Sequence, residues 1–141
     1  MSPFSELLYR LRCRHDVRQA ELAEKLGYEQ SYISALEIGI KGPPTEEFVE
    51  RLAGALPLTP EERRELRTAV DESSRKLILE GDASPEHFRF VARLRRKLHS
   101  ATPRQLRLMS EILDMPDFGV PPHERPLPRI KRRRTVREAP M

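Results

Sequence analysis

Apolar residues recur every three or four positions along most of the chain, the spacing that places them on one buried face of an α-helix. In the N-terminal part this pattern predicts four short helices, around residues 4–11, 22–26, 33–36 and 48–56. Gly27 and Gly39 follow the second and third of them, at positions where helices commonly end. No alternating strand pattern competes with these segments, so the sequence predicts an all-α fold.

Later helices begin with a shared signal, a Ser or Thr followed directly by Pro, at residues 59, 84 and 102. The hydroxyl accepts hydrogen bonds from the first free N–H groups of a helix, and Pro at the first helical position needs no such partner. Thr59 with Glu62, and Thr102 with Gln105, also have the spacing of a capping box. These signals predict helices at about 60–80, 85–99 and 103–114.

The composition changes at Pro116, after which Pro and Arg replace most apolar residues. A segment of this kind has too little apolar surface to bury, so residues 116–141 are expected to form a flexible basic tail. The chain is therefore expected to comprise a helical domain over residues 1–70, a helical extension over residues 71–115, and the tail.

Charge is distributed unevenly between the two halves of the chain. Residues 1–70 hold 10 Lys and Arg against 12 Asp and Glu, a net charge of −2, whereas residues 71–141 hold 16 against 10, a net charge of +6. The basic isoelectric point of about 9.6 belongs to the C-terminal half. Used alone, it would place nucleic-acid binding there.

Other functional classes find little support in the sequence. No apolar run approaches the 18 or so residues of a transmembrane helix, and the N-terminus lacks the apolar core of a secretory signal. The single cysteine, Cys13, fits a reducing cytosol. The histidines are scattered, and no HExxH, CxxC or glycine-rich phosphate loop is present. We expect a protein that is not an enzyme and that uses neither cofactor nor metal.

Residues 19–38, QAELAEKLGYEQSYISALEI, resemble the helix-turn-helix of the lambda repressor and Cro-like family, also called the XRE family. That motif requires a small residue where its helices cross and a glycine in the turn, and Ala23 and Gly27 stand there. Its remaining core positions are apolar, as are Leu22, Leu26, Tyr28, Ile33 and Leu36. The resemblance covers about residues 4–70 and implies a five-helix lambda repressor-like DNA-binding domain over residues 1–70, followed by about two further helices.

In such a domain the second helix of the motif lies in the major groove, with its N-terminal residues against the base edges. The resemblance implies base contacts by Gln30, Ser31, Ser34, Ala35 and Tyr32. Gln can pair with adenine, and Ala can pack on a thymine methyl group. Gln30 or Ser31 could otherwise simply cap the helix, and Tyr32 could bind a phosphate or lie on the domain surface. Glu29 is better explained by the helix dipole.

Phosphate contacts are expected from Gln19, Arg18 and Lys41. The resemblance places Gln19 at the start of the first motif helix, where relatives commonly bind a phosphate. Many relatives have a capping Ser or Thr at the position of Arg18. Arg cannot accept a hydrogen bond, so Asp16 is the alternative cap and Arg18 is left to reach the DNA.

Arg12 and Glu37 occupy positions that form a structural ion pair in many family members, here expected to join the first and third helices. The net charge of −2 for residues 1–70 is unfavourable for a DNA-binding domain, because neutralisation of phosphates supplies much of the affinity of a protein for DNA. A possible resolution is that the arginines at positions 10, 12, 14 and 18 cluster on one basic face.

Proteins of this kind usually bind inverted repeats as dimers, and residues 59–114 are the candidates for pairing. The helical face with Arg89, Arg93 and Arg96 is either solvated or a second DNA contact. The run RIKRRRTVR, residues 129–137, is either a DNA-binding arm or a solubilising tail.

The sequence leads to one main hypothesis: a homodimeric, sequence-specific regulator of transcription that binds double-stranded DNA. It would act as a repressor at an inverted-repeat operator, in the cytoplasm of a bacterium or phage-infected cell, associated with the nucleoid. The first alternative is an antitoxin that binds DNA and also a partner protein through residues 71–141. The second is a protein–protein adaptor whose helix-turn-helix no longer reads DNA.

Overall fold

A computed structural model describes residues 1–116, and this part of the chain is helical without strands. The expected all-α fold is confirmed. The seven α-helices are α1 (Pro3–Arg14), α2 (Gln19–Leu26), α3 (Gln30–Ile38), α4 (Glu46–Ala55), α5 (Pro60–Glu72), α6 (Pro85–Lys97) and α7 (Pro103–Leu113), with a 3-10 turn at Leu98–Ser100. The expected basic tail lies almost entirely outside the described residues.

The chain divides into two compact units, Met1–Ala83 and a second that begins at Ser84. Helices α1 to α5 build the first unit around one core, in which α1 packs against α3 and α5, and α2 packs against α3 and α4. The core contains Phe4, Leu7, Leu8 and Leu11 of α1, together with Leu22, Leu26, Ile33, Leu36, Phe48, Leu52 and Leu66. Burial of these apolar faces holds five short helices that would be marginal alone.

Hydroxyl caps fix where α5 and α7 begin. Thr59 Oγ1 accepts the N–H of Glu62 at 3.2 Å, and the Glu62 carboxylate accepts the N–H of Thr59 at 3.0 Å. Thr102 and Gln105 make the same reciprocal pair at the start of α7. Each pair satisfies N–H groups that the helix itself leaves free.

Helix α5 ends at Glu72 rather than continuing to about residue 80 as the sequence suggested. The buried Ser73 side chain donates to the carbonyl of Ala69 at 2.6 Å and accepts the N–H of Phe4 at 2.9 Å. The end of α5 is thus bonded to the start of α1. The following residues, 74–83, form an irregular segment of the first unit.

In the second unit, α6 buries Val91, and α7 has no fully buried side chain. Eight large apolar side chains of this unit are between 42% and 78% exposed: Phe88, Phe90, Leu98, Leu106, Leu108, Ile112, Leu113 and Met115. Within residues 1–116, no helix has both the length and the apolar composition that a membrane crossing requires.

Candidate nucleic-acid interface

The turn between α2 and α3 is built on Gly27, whose φ of +72° lies in the left-handed region that favours glycine. A Cβ at this position would lie 3.3 Å from the Nη1 atom of Arg51. That same Nη1 donates to the carbonyl of Leu26 at 3.0 Å. Arg51 of α4 therefore satisfies a carbonyl at the end of α2 and holds the turn in place.

Helix α3 has a buried face and an exposed face. Ile33 and Leu36 are fully buried, whereas Gln30 and Ser31 are exposed. Ser34 and Ala35 are half-buried, one turn further along the outer side of the helix. These four polar or small side chains form one continuous surface, which we call the outer face of α3.

Ile38 also lies on the exposed side of α3, at its last residue, and is 58% exposed. It was not among the residues predicted for this surface. Helical spacing from Ser31 and Ser34 could have placed it on the same side.

Tyr32 lies apart from the outer face, packed against the core. Its ring stacks on Tyr28 with centroids 5.2 Å apart and meets Phe48 edge-on at 5.8 Å. Burial raises the pKa of the Tyr32 phenol. The exposed Lys41 places its Nζ 5.3 Å from the Tyr32 ring centroid. This packing favours the domain-surface alternative for Tyr32 and gives Lys41 an aromatic support.

Glu37 joins three helices through its carboxylate. Its Oε1 accepts from Arg12 Nε at 2.6 Å, and its Oε2 accepts from Arg12 Nη2 at 3.2 Å and from Gln19 Nε2 at 2.6 Å. Arg12 also donates to the carbonyl of Val17 at 3.1 Å. The hydrogen bond to Glu37 raises the pKa of the Arg12 guanidinium. The network fixes the orientation of the Gln19 amide at the first turn of α2.

The start of α2 differs from the expected arrangement. Arg18 itself is the N-cap residue and its side chain makes no capping bond, while its N–H donates to the carboxylate of Glu21 at 2.8 Å. The expectation that Asp16 caps this helix is wrong. Asp16 sits just after α1 with a φ of +51°, and its N–H donates to the carbonyl of Cys13. Arg18 remains exposed.

The arginines of α1 do not form a free basic face. Arg10 pairs with Glu65, Arg12 with Glu37, and Arg14 Nη1 with Glu62 Oε1 at 2.7 Å. The hydrogen bond from Arg14 is the main cause that lowers the pKa of the buried Glu62 carboxyl. The prediction of a basic face is therefore wrong, because acidic side chains of α3 and α5 lie close enough to the three arginines to neutralise their charges.

The structure brings to the end of α3 a further cation, Arg75, which the sequence did not predict there. Arg75 Nη2 donates to the carbonyl of Gly39 at 2.6 Å, across 36 positions of sequence. No local pattern signals such a contact. Among residues 1–116, no cluster of three or more His, Cys, Asp and Glu could hold a metal ion.

Two helices joined at a left-handed glycine, the second with an anchored inner face and a polar outer face, define a helix-turn-helix domain. Residues 3–66 match the family model described as "Helix-turn-helix domain". This part of the chain is similar to that family and has the helix-turn-helix arrangement that the description names.

No curated protein matches the sequence. A solved structure named "SinR protein/SinI protein complex" is 22% identical, covering 78% of this chain and 93% of that chain, with a TM-score of 0.40.

Proposed function

We propose that this protein is a sequence-specific regulator of transcription that inserts α3 into the major groove of double-stranded DNA. One observation carries the proposal. In a helix-turn-helix domain, α3 turns Ile33 and Leu36 into the core and leaves Gln30, Ser31 and Ser34 on the opposite side.

The chemistry of the outer face suits base recognition. The Gln30 amide can donate and accept at once, which matches the N6 and N7 atoms of adenine. Ser31 and Ser34 are short donors and acceptors that can serve several bases. Ala35 adds a small apolar contact for a thymine methyl group. Tyr32, packed against Tyr28 and Phe48, would border this surface without a base contact of its own.

Phosphate contacts would come from both ends of the motif. The Gln19 amide has two N–H donors, and one of them is used by Glu37. We assign the second to a phosphate, held in a fixed direction by the Glu37 network. Arg18 at the start of α2 and Lys41 after α3 are exposed cations that could neutralise phosphates on either side.

We further propose that two copies bind together on an inverted repeat, paired through the unit that begins at Ser84. Soluble monomers rarely expose large contiguous apolar patches, yet eight large apolar side chains of this unit are exposed. Pairing of such faces between copies would bury them. The same surface could instead take a partner protein, as in the antitoxin alternative.

The mechanism would be repression by occupancy, since a dimer seated on its operator blocks access of RNA polymerase. The protein would act in the cytoplasm, on the DNA of the nucleoid. Neither a ligand nor a cofactor has a role in this scheme.

The experiment is selection from a randomised duplex library, followed by sequencing of the retained DNA. We expect an inverted repeat whose half-sites are about 10 base pairs apart, centre to centre. Gln30→Ala with Ser31→Ala should abolish enrichment of that motif. The control Thr68→Ala, at an exposed position of α5, should leave it unchanged.

Either of two results would overturn the proposal. One is the absence of any enriched motif with the unaltered chain. The other is an enriched motif that survives in the Gln30→Ala, Ser31→Ala double variant. Sedimentation of the chain as a monomer at micromolar concentration would count against the dimer alone.

A further inference from the structure

Electrostatics poses a problem for DNA binding by the first unit. Residues 1–70 carry a net charge of −2. The arginines of α1 are engaged with Glu37, Glu62 and Glu65. Because neutralised phosphates supply much of the affinity for DNA, other cations close to α3 must make those contacts.

Arg75 is such a cation, held at the end of α3. Its Nη2 lies 2.6 Å from the carbonyl oxygen of Gly39, the residue that ends α3 with a φ of +85°. The side chain is exposed. Within the described residues 1–116, Arg75 makes no ion pair and no other hydrogen bond.

The fold determines this position through the end of α5. The buried Ser73 bonds to the N–H of Phe4 at 2.9 Å, which fixes the end of α5 at the start of α1. The start of α1 in turn lies beside the end of α3, since a Cβ on Gly39 would be 3.2 Å from the Cα of Met1. Two residues after Ser73, Arg75 can therefore reach Gly39.

A positive charge at the end of α3 favours a phosphate contact there. Free carbonyls and the helix dipole give the C-terminus of a helix partial negative charge, which repels a nearby phosphate. A guanidinium bonded to the Gly39 carbonyl offsets this charge. It has five N–H donors in a planar fork, so a single bond to Gly39 leaves the others for a phosphate.

We infer that Arg75 is a phosphate-contacting residue of the DNA interface, supplied from outside the matched helix-turn-helix segment and acting beside Lys41. The inference rests on the proposed function. It gives the irregular segment after α5 a role in DNA binding. The contact is independent of base sequence, because it involves the backbone of the DNA alone.

The test is the salt dependence of DNA binding by the full chain. Fluorescence anisotropy with a labelled mixed-sequence duplex, and with any duplex recovered by selection, would be measured across roughly 50–200 mM salt. Three variants are compared with the unaltered chain: Arg75→Ala, Arg75→Gln and Arg67→Gln. Arg67 is an exposed arginine of α5 that lines the groove between α4 and α5, so its replacement controls for loss of one charge.

Arg75→Gln separates the two roles that the side chain could have. Its amide keeps an N–H donor on a shorter side chain, but it carries no charge. We expect both Arg75 variants to lower the slope of log K against log salt by about 0.9 per protomer and to weaken binding roughly fivefold per protomer at 0.15 M salt. Arg67→Gln should keep the original slope.

The inference is overturned if Arg75→Gln keeps the slope of the unaltered chain while Arg75→Ala lowers thermal stability. Arg75 would then only cap α3. It is also overturned if Arg67→Gln changes the slope as much as Arg75→Gln does. If the unaltered chain binds no duplex at any salt concentration, the proposed function itself fails, which is a distinct result.

Discussion

The replacement Glu37→Gln tests how strongly the position of α3 depends on one buried carboxylate. The Glu37 side chain is 6% exposed and accepts two hydrogen bonds from Arg12 and one from Gln19. An amide keeps the size of the group but removes the charge. It also turns one acceptor atom into a donor, which then faces an N–H of Arg12 or Gln19.

The expected loss of stability follows from the burial of the ion pair between Arg12 and Glu37. Removing one partner of a buried ion pair costs about 3–5 kcal/mol, because the remaining charge is left without compensation. The Arg12 side chain is 15% exposed, so water screens part of its charge. The amide also retains one acceptor. We therefore expect the free energy of unfolding of the first unit to fall by about 2–3 kcal/mol.

Urea denaturation of the full chain, followed by far-UV circular dichroism, measures this change. The matched control is Glu47→Gln, which breaks the exposed pair between Glu47 and Arg51, where the side chains are 66% and 46% exposed. That control should cost no more than about 0.5 kcal/mol. If Glu37→Gln costs no more than its control, the reasoning about the buried network is refuted.

Two further predictions concern the turn and the acid stability of the first unit. Gly27→Ala should destabilise by about 1–2 kcal/mol, because a residue with a Cβ is strained at a φ of +72°. Gly54→Ala, in helical backbone with open space around its Cβ position, should instead stabilise by up to about 1 kcal/mol. Thermal melts that show the same sign for both would contradict this argument. The lowered pKa of Glu62 means that its contribution to stability is present above the ordinary value of 4.5 and is lost as the pH falls through the folded-state pKa. Glu62→Gln should therefore flatten the decline of the melting temperature between neutral pH and about pH 3, and an unchanged decline would count against the role given to Arg14.

Much of the first unit could be read directly from the sequence. Periodicity placed the buried faces of α1 to α4, and the signal at Thr59 gave the start of α5. Gly27 marked the turn between α2 and α3. All of these features depend on residues only a few positions apart, so local rules of helix geometry and capping are sufficient to find them.

The end of α5 could not be read in this way. The residues after Ser73 include Leu77, Ile78 and Leu79, and their composition allowed a longer helix. The helix stops where Ser73 bonds to Phe4, a contact across 69 positions of sequence. A bond of this kind depends on how the finished helices pack.

The candidate interface also combines features that local sequence determines with features that depend on tertiary packing. The sequence by itself determined the helix-turn-helix, its core and the polar outer face of α3, because each depends on residues only a few positions apart. The tertiary structure alone decided which cations are available. It paired Arg14 with Glu62 across 48 positions and carried Arg75 to Gly39 across 36. Local patterns cannot fix such pairs, since the distance between two charges is set by the packing of the helices that carry them.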